Sequence, residues 1–506
     1  MRSFPFVALT LASTLQAAAP CPPGPLGHHR GGVASVHFSP DGRLVASGGG
    51  DKTIRVTDIA SGKVVHSWPG PSSFTCVVRF SPDGKTLAVA GYEAGSSNAI
   101  YRFDVASGKE LPRLCGPLSG GIRRVVFSPD SKRLVSAGFD GHVRVWDLAT
   151  GKPHCAFRAD SGTVYGLAIS PDGKTIATAA REGLRLWDAR DGRPLVRPEM
   201  SKQEAVAVSF SPDGKLVASG DSSSVVLWEV VTGKPARTLS GFKGELSAVL
   251  FSSDGRTLYT ASYDKTIRVW EVRSGQALGQ VEAHTGWIWA LDLRRDDRLL
   301  VSGSVDGQLK LWSAATLRAS ATHVAAKVPV LDAAQRWKEL AHPDASVAMK
   351  AVWDLAGDPS KSVPLLSEKL AQVRGEGPSV QEIQKWIADL DDEEWPVRER
   401  ASKRLQAVGS HALASIKAAQ ERPVSPEAAR RLNRLVLAID PTALPTEDLV
   451  VLRGVQVLES IGSPEAQKVL HQLARERTGT PRLVEEAAQA AQRLSRSSLA
   501  RSTPTR

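Results

Sequence analysis

A four-residue phrase recurs through the first three-fifths of this chain at a nearly constant interval. Ser39-Pro40-Asp41-Gly42 returns as Ser81-Pro82-Asp83-Gly84, Ser128-Pro129-Asp130-Ser131, Ser170-Pro171-Asp172-Gly173, Ser211-Pro212-Asp213-Gly214 and Ser252-Ser253-Asp254-Gly255, with Arg294-Arg295-Asp296-Asp297 as a worn seventh copy. Successive copies start 42, 47, 42, 41, 41 and 42 residues apart. A repeat of this length is one supersecondary unit that cannot bury its own apolar face, so the copies must stack on one another. That requirement fixes a repeat architecture before any single residue is weighed.

The unit itself reads as four short strands, clearest in the third copy: Ile122 to Phe127, Arg133 to Ala137, Val143 to Asp147 and Pro153 to Arg158. Proline fixes φ, aspartate bonds its own backbone and glycine accepts a positive φ, so the recurring phrase makes a tight turn between the first two strands. The third strand ends in Trp146-Asp147, Trp187-Asp188, Trp228-Glu229, Trp270-Glu271 and Trp312-Ser313, with Thr57-Asp58 and Phe103-Asp104 as weaker members. Over residues 27 to 324 the chain resembles the WD-repeat family. The resemblance implies an all-β propeller of seven blades whose faces and rim dock partners. It also implies a buried tetrad within a blade, complete in blade seven as His284, Ser302, Asp306 and Trp312. Partial sets are His28, Ser47 and Asp51 in blade one and Ser136, Asp140 and Trp146 in blade three. His284 reads as structural on this spacing, since a buried polar network of this kind holds a blade rigid.

Partners are expected on the face carrying the loops that enter each first strand. The large residues there are Phe74, Arg123, Tyr165, Trp287 and Trp289, of the types that dominate binding energy at interfaces. Trp289 and Tyr165 could instead pack between blades, and Trp287 could cap its own loop. The interval of 47 marks an insertion near Tyr92 to Asn98 on the same face. For closure of the ring, the proline-rich segment Pro20 to Gly27 is a poor ladder donor, so Arg318 to Val324 is expected to supply the outer strand of blade seven.

After Val324 the apolar period becomes helical. Ser379 with Glu382 forms a capping box, Ser425-Pro426, Ser463-Pro464 and Thr480-Pro481 pair an N-cap with a first-turn proline, and Gly409 and Gly462 read as helix ends. At least seven helices are expected in an α-helical domain over 325–496, followed by a disordered tail over 497–506. Ile387 to Ala419 resembles a HEAT-type hairpin, with a fainter echo in Gly454 to Leu473. Such hairpins offer docking surfaces, although a cap resting on the propeller is equally compatible.

Residues 1–19 carry one early positive charge, an apolar stretch and a small-residue end, the pattern of a secretory signal peptide. Export to the periplasm or the extracellular space is therefore expected, with a cytoplasmic location otherwise. Cys21 lacks the leucine expected before a lipid-modified cysteine, and no stretch holds 18 consecutive apolar residues. Cysteines 21, 76, 115 and 155 form no Cys-x-x-Cys pair, so neither a metal nor covalent haem is expected, and no cofactor. The formal charge of +11 is scattered through turns without a run of like sign, which points away from nucleic acid. No Gly-x-Ser-x-Gly elbow, His-Glu-x-x-His or phosphate loop occurs. A noncatalytic protein-binding scaffold is the leading reading. A propeller enzyme of hydrolase or quinone-dependent dehydrogenase type, or recognition of an anionic polymer or nucleic acid, stands as the alternative.

Overall fold

In a computed structural model, the described residues are 24–70, 77–92, 99–116, 120–196, 204–319, 332–372, 380–408, 410–420, 425–438, 446–475 and 481–502. They contain seven four-stranded antiparallel sheets. Blade three uses Ile122–Phe127, Arg133–Gly138, His142–Asp147 and Pro153–Arg158, here lettered a to d from the axis outward. The a strands of successive blades touch in a closed cycle around a central channel. Apolar residues pack between blades: Ile122, Val125, Phe127 and Trp146 of blade three meet Val77, Ala88 and Ile100 of blade two. Each sheet thus buries both faces on its neighbours, which is why one unit alone could not stand.

The recurring phrase builds the a–b turn. Ser128 Oγ donates to Asp130 Oδ1 at 2.5 Å and accepts from Arg133 N at 2.9 Å, and the other intact copies repeat this. Its last position needs positive φ in every copy, reached by Gly42 at 70° and, without glycine, by Ser131 at 59° and Asp297 at 57°. In the worn copy the Arg294 guanidinium takes the serine's place and holds Asp296 at 2.7 Å.

Closure differs from the expectation. Gly24–His28 is the outer strand of blade seven, paired antiparallel with Gln308–Ser313 from Gly24 opposite Leu311 to His28 opposite Gln308. Proline is tolerated because this is an edge strand whose outward N–H needs no partner, and the register shifts between Pro25 and Gly27. Leu26 fills the space between blades seven and one. After Ser313 the chain is helical to Ala319, with Ala314 and Leu317 resting on blade six; Arg318, expected in the outer strand, lies in this helix, and residues 320–324 lie outside the described residues.

The helices are α1 (Ala314–Ala319), α2 (Ala333–Glu339), α3 (Ala345–Ala356), α4 (Pro359–Gln372), α5 (Val380–Ala388), α6 (Trp395–Val408), α7 (Ser410–Gln420), α8 (Pro426–Ala438), α9 (Thr446–Ile461), α10 (Pro464–Arg475) and α11 (Pro481–Ser502). Ser425 and Ser463 cap α8 and α10 as expected, accepting from Ala428 N and Ala466 N at 3.2 Å each. Gly462 ends α9 at φ 62°. Helix α11 runs through residues 497–502, which were expected to be disordered; no proline interrupts it before Pro504. Ser379, Gly409, Thr480, residues 1–23, the insertion residues 93–98 and residues 503–506 lie outside the described residues.

The helical region has two parts. Helices α5 to α8 share a core of their own around Ile383, Leu405, Ile416 and Leu432. Helices α3, α4, α9, α10 and α11 instead join one apolar core with blades five and six, where Met349, Val352, Leu366, Val455 and Leu470 meet Leu216, Leu227, Leu239 and Trp270. Arg453 of α9 is buried there and holds Glu229 through Nε and Nη2 at 2.7 Å each, while Nη1 donates to Leu340 O at 2.6 Å. Lys215 lies 3.6 Å from Glu459 and 3.3 Å from Glu486. The polar contacts named here fall on the a–b and c–d turns of these blades and the strand ends beside them.

Candidate functional site

The opposite face of the ring carries the d–a and b–c connections, and it gathers the sequence-selected residues described there. Trp287 sits just before the a strand of blade seven, 52% exposed, with its ring stacked on Tyr263 at 5.3 Å and 14°. Trp289, two residues on, is half-buried and leans across the seam onto blade one, where a Cβ on Gly32 would meet its ring at 2.8 Å. Arg123 lies over Tyr165 at 5.1 Å and over Phe139 at 5.8 Å. Phe74 lies outside the described residues. Trp289 and Tyr165 therefore carry packing contacts at the seams, whereas Trp287 presents most of its ring outward.

The b–c turns add aromatics that the sequence reading did not select. Aligned on the b strands, the position reads Gly50, Tyr92, Phe139, Arg181, Ser222, Tyr263 and Val305. Tyr92, 41% exposed, meets Phe139 edge-on at 6.3 Å. The signal was present as aromatics at three of these seven positions, one or two residues past the b strand, but attention went to the other loop set. Tyr92, Phe139, Arg123 and Tyr165 form one run across blades two to four, and Tyr263 with Trp287 a second across blades six and seven.

Between the two runs, blades five and six contribute carboxylates. A cavity of about 280 Å³ is lined by Glu204, Val206, Asp221, Ser222, Ser223 and Glu245. Asp221 is committed to its own turn, accepting from Ser223 N at 2.6 Å and Ser224 N at 2.7 Å. Burial pushes the Glu245 carboxyl up, Glu204 adds to the push and Arg123 opposes it. Burial likewise raises the Tyr165 phenol, together with its hydrogen bond to Glu204. This face thus offers flat aromatic area, guanidinium and carboxylate side by side. Among the described residues no group of three or more His, Cys, Asp or Glu could hold a metal, and no helix is long and apolar enough to cross a membrane.

The tetrad residues of blade seven lie in a chain. His284 Nδ1 is 3.0 Å from Asp306 Oδ2, His284 Nε2 is 2.7 Å from Ser302 Oγ, and Trp312 Nε1 donates to Ser302 Oγ at 2.8 Å. Burial holds the imidazole below its ordinary pKa despite Asp306. In blade one the histidine is His29, not His28: its Nδ1 meets Asp51 at 2.9 Å and its Nε2 meets Ser47 at 2.8 Å. His28 closes the edge strand opposite Gln308, while the next residue turns inward. Counting back from Ser302 to His284 and from Ser47 to His29 gives 18 residues in both, so spacing could have separated the two neighbours. Blades three to six keep the outer pair without the histidine, Trp146, Trp187, Trp228 and Trp270 each donating to a serine or threonine at 2.8 to 3.0 Å.

Seven sheets closed around an axis, each built on the same turn and most on the same tryptophan, define a seven-bladed β-propeller with a helical appendage. Residues 22–58, 62–97, 108–147, 151–188, 200–229, 233–271 and 275–313 match the model of the WD domain, G-beta repeat. These segments make up just over half of the chain, which belongs to the WD-repeat family. Five of them begin with a d strand and end on the c strand of the following blade, while 62–97 stops short of the c strand and 200–229 starts after the d strand; the first segment carries the strand that completes the last blade. Over 165 residues the chain is 31% identical to apoptotic protease-activating factor 1 of Rattus norvegicus, covering 31% of this chain and 13% of that protein. It is 32% identical over 140 residues to eukaryotic translation initiation factor 3 subunit I of Candida albicans, covering 26% and 40%. An uncharacterised WD repeat-containing protein of Synechocystis is 28% identical over 152 residues, covering 30% and 42%. The chain matches less than half the length of each of these relatives.

Proposed function

We propose that this protein is a noncatalytic scaffold that holds a protein partner on the d–a and b–c face of its propeller, with the HEAT-like helices α5 to α8 as a second docking surface. WD-repeat propellers act in protein interaction, and two of the relatives are named as a factor that activates a protease and a subunit of an initiation factor. The observation that carries the reading is Trp287, half exposed and already stacked on Tyr263. A ring held in place before binding loses little entropy when a partner covers it, and tryptophan, tyrosine and arginine are the residues on which interface energy concentrates. The helices attach through the opposite face and leave this one to the partner. Export on the leader-like residues 1–19 would put that partner in the periplasm or outside the cell.

Affinity capture with the wild type and with Trp287→Ala tests the reading. Partners retained by the wild type are expected to weaken by about tenfold or more on the variant, the loss of a truncated aromatic anchor. Equal recovery on both would remove this face from consideration.

A further inference from the structure

The channel itself holds an excess of guanidinium. Arg124 of blade three donates from Nη1 to Arg123 O at 3.2 Å, a carbonyl acceptor that brings no negative charge. Arg79 of blade two donates to Val36 O and Val78 O at 3.1 Å each, again carbonyls. Arg123 Nε is buried and has no hydrogen-bond partner. Arg79 and Arg124 stand on the touching a strands of blades two and three, and Arg124 lies within electrostatic reach of Arg79, of Arg123 and of Tyr263 in blade six.

Carboxylates face this group from two sides, Asp292 on one and Glu245 with its neighbour Glu204 on the other. Asp292 of blade seven accepts from Phe38 N at 2.7 Å and is shared electrostatically by Arg79 and Arg295. Glu245 lies near Arg123. Burial lowers Arg124 to about 9, the result expected of a cation without sufficient counter-charge, and it lowers Arg79 as well. A narrow passage with low-dielectric walls concentrates such a field. Guanidinium forks fit tetrahedral oxyanions, and the bonds to carbonyls use only Nη1 of Arg79 and of Arg124.

We infer that the channel is a binding site for a compact oxyanion of the phosphate class, held between Arg124 and Arg79 and approached past Arg123 at the mouth. The site does not depend on the docking role proposed for the face above it. Titration calorimetry of the full chain with inorganic phosphate, at constant ionic strength with chloride as the balancing salt, is the test. One site is expected, with affinity falling about tenfold or more in Arg124→Gln and in Arg79→Gln and unchanged in Arg190→Gln, whose guanidinium is on an exposed turn. A parallel titration with glycerol 3-phosphate separates the sources: binding of both probes assigns the site to phosphate esters as well, and binding of inorganic phosphate alone restricts it to the free anion. Because the glutamine variants could unfold, a selenate-soaked crystal of the wild type gives a second reading, expected to place anomalous density within hydrogen-bond reach of Arg124 and Arg79. Heat indistinguishable from that of chloride, equal affinity in folded variants, or a channel without selenate overturns the assignment.

Discussion

At the innermost strands, side chains sew one blade to the next. His37 Nδ1 accepts from Phe80 N at 3.1 Å, Asp292 Oδ2 from Phe38 N at 2.7 Å, and Ser35 Oγ from Val78 N at 3.2 Å. Asp292 does so at a cost, because burial pushes its carboxyl to about 6 while Arg79 and Arg295 pull it back. A carboxyl raised in the fold favours the folded state fully below its unfolded value of 3.8, and that advantage is lost as pH rises through about 6. Asp292→Asn keeps an oxygen for Phe38 N and removes the charge. The variant is therefore expected to be more stable than the wild type above pH 6, and the difference should vanish towards pH 3.8, as read by urea unfolding midpoints across that range. A constant difference across the range would mean that the charge plays no part.

At the scale of the blade, repeats with the same turn differ in how their interiors are tied. Ser302 joins His284 to Trp312 in blade seven, whereas Ser136 in blade three serves Trp146. Ser302→Ala should cost about 2–3 kcal/mol and Ser136→Ala about 1 kcal/mol in denaturant unfolding, since the first leaves two buried donors or acceptors unmade and the second one. This layer was largely legible in the sequence, because the turn phrase and the tryptophans carry strong local chemistry at a fixed interval. The four strands of blade three were placed to within a residue or two. What escaped was decided by context. Whether Gly24–His28 or the stretch after Ser313 completes blade seven depends on which reaches the free edge, and local composition pointed to the wrong one. His28 and His29 are the same residue type side by side, separable only by counting from the serine. The top-face site was half legible: Trp287 and Arg123 follow from the d–a loops, but their partners come from b–c turns, Tyr263 some 24 residues before Trp287 in the preceding blade and Phe139 some 16 residues after Arg123 in the same blade.

Over the whole molecule, propeller and helices behave as one body with an appendage. The Arg453–Glu229 pair is buried among apolar residues of α3, α9 and blades five and six, so it cannot relax into water when one partner is removed. Arg453→Ala leaves Glu229 uncompensated, and a loss of about 3–5 kcal/mol is expected. In calorimetry the wild type should show the ring and helices α3, α4 and α9 to α11 melting together, and the variant should release these helices at lower temperature. A single unshifted transition in the variant would show that the apolar contact alone holds the two. Helices α5 to α8, with their separate core, fall outside this cooperative unit and are free to take a different partner without disturbing the ring. The strand from Gly24 to His28 has a consequence for how such a body is made. Six blades can form in order as the chain is synthesised, each from contiguous residues, but the seventh must wait for its earliest strand and its last, nearly the entire propeller apart. The ring is consequently an open arc until its final residues arrive, with two unpaired edges exposed to any other chain nearby, and the clasp that ends this interval is the earliest of the propeller's own strands.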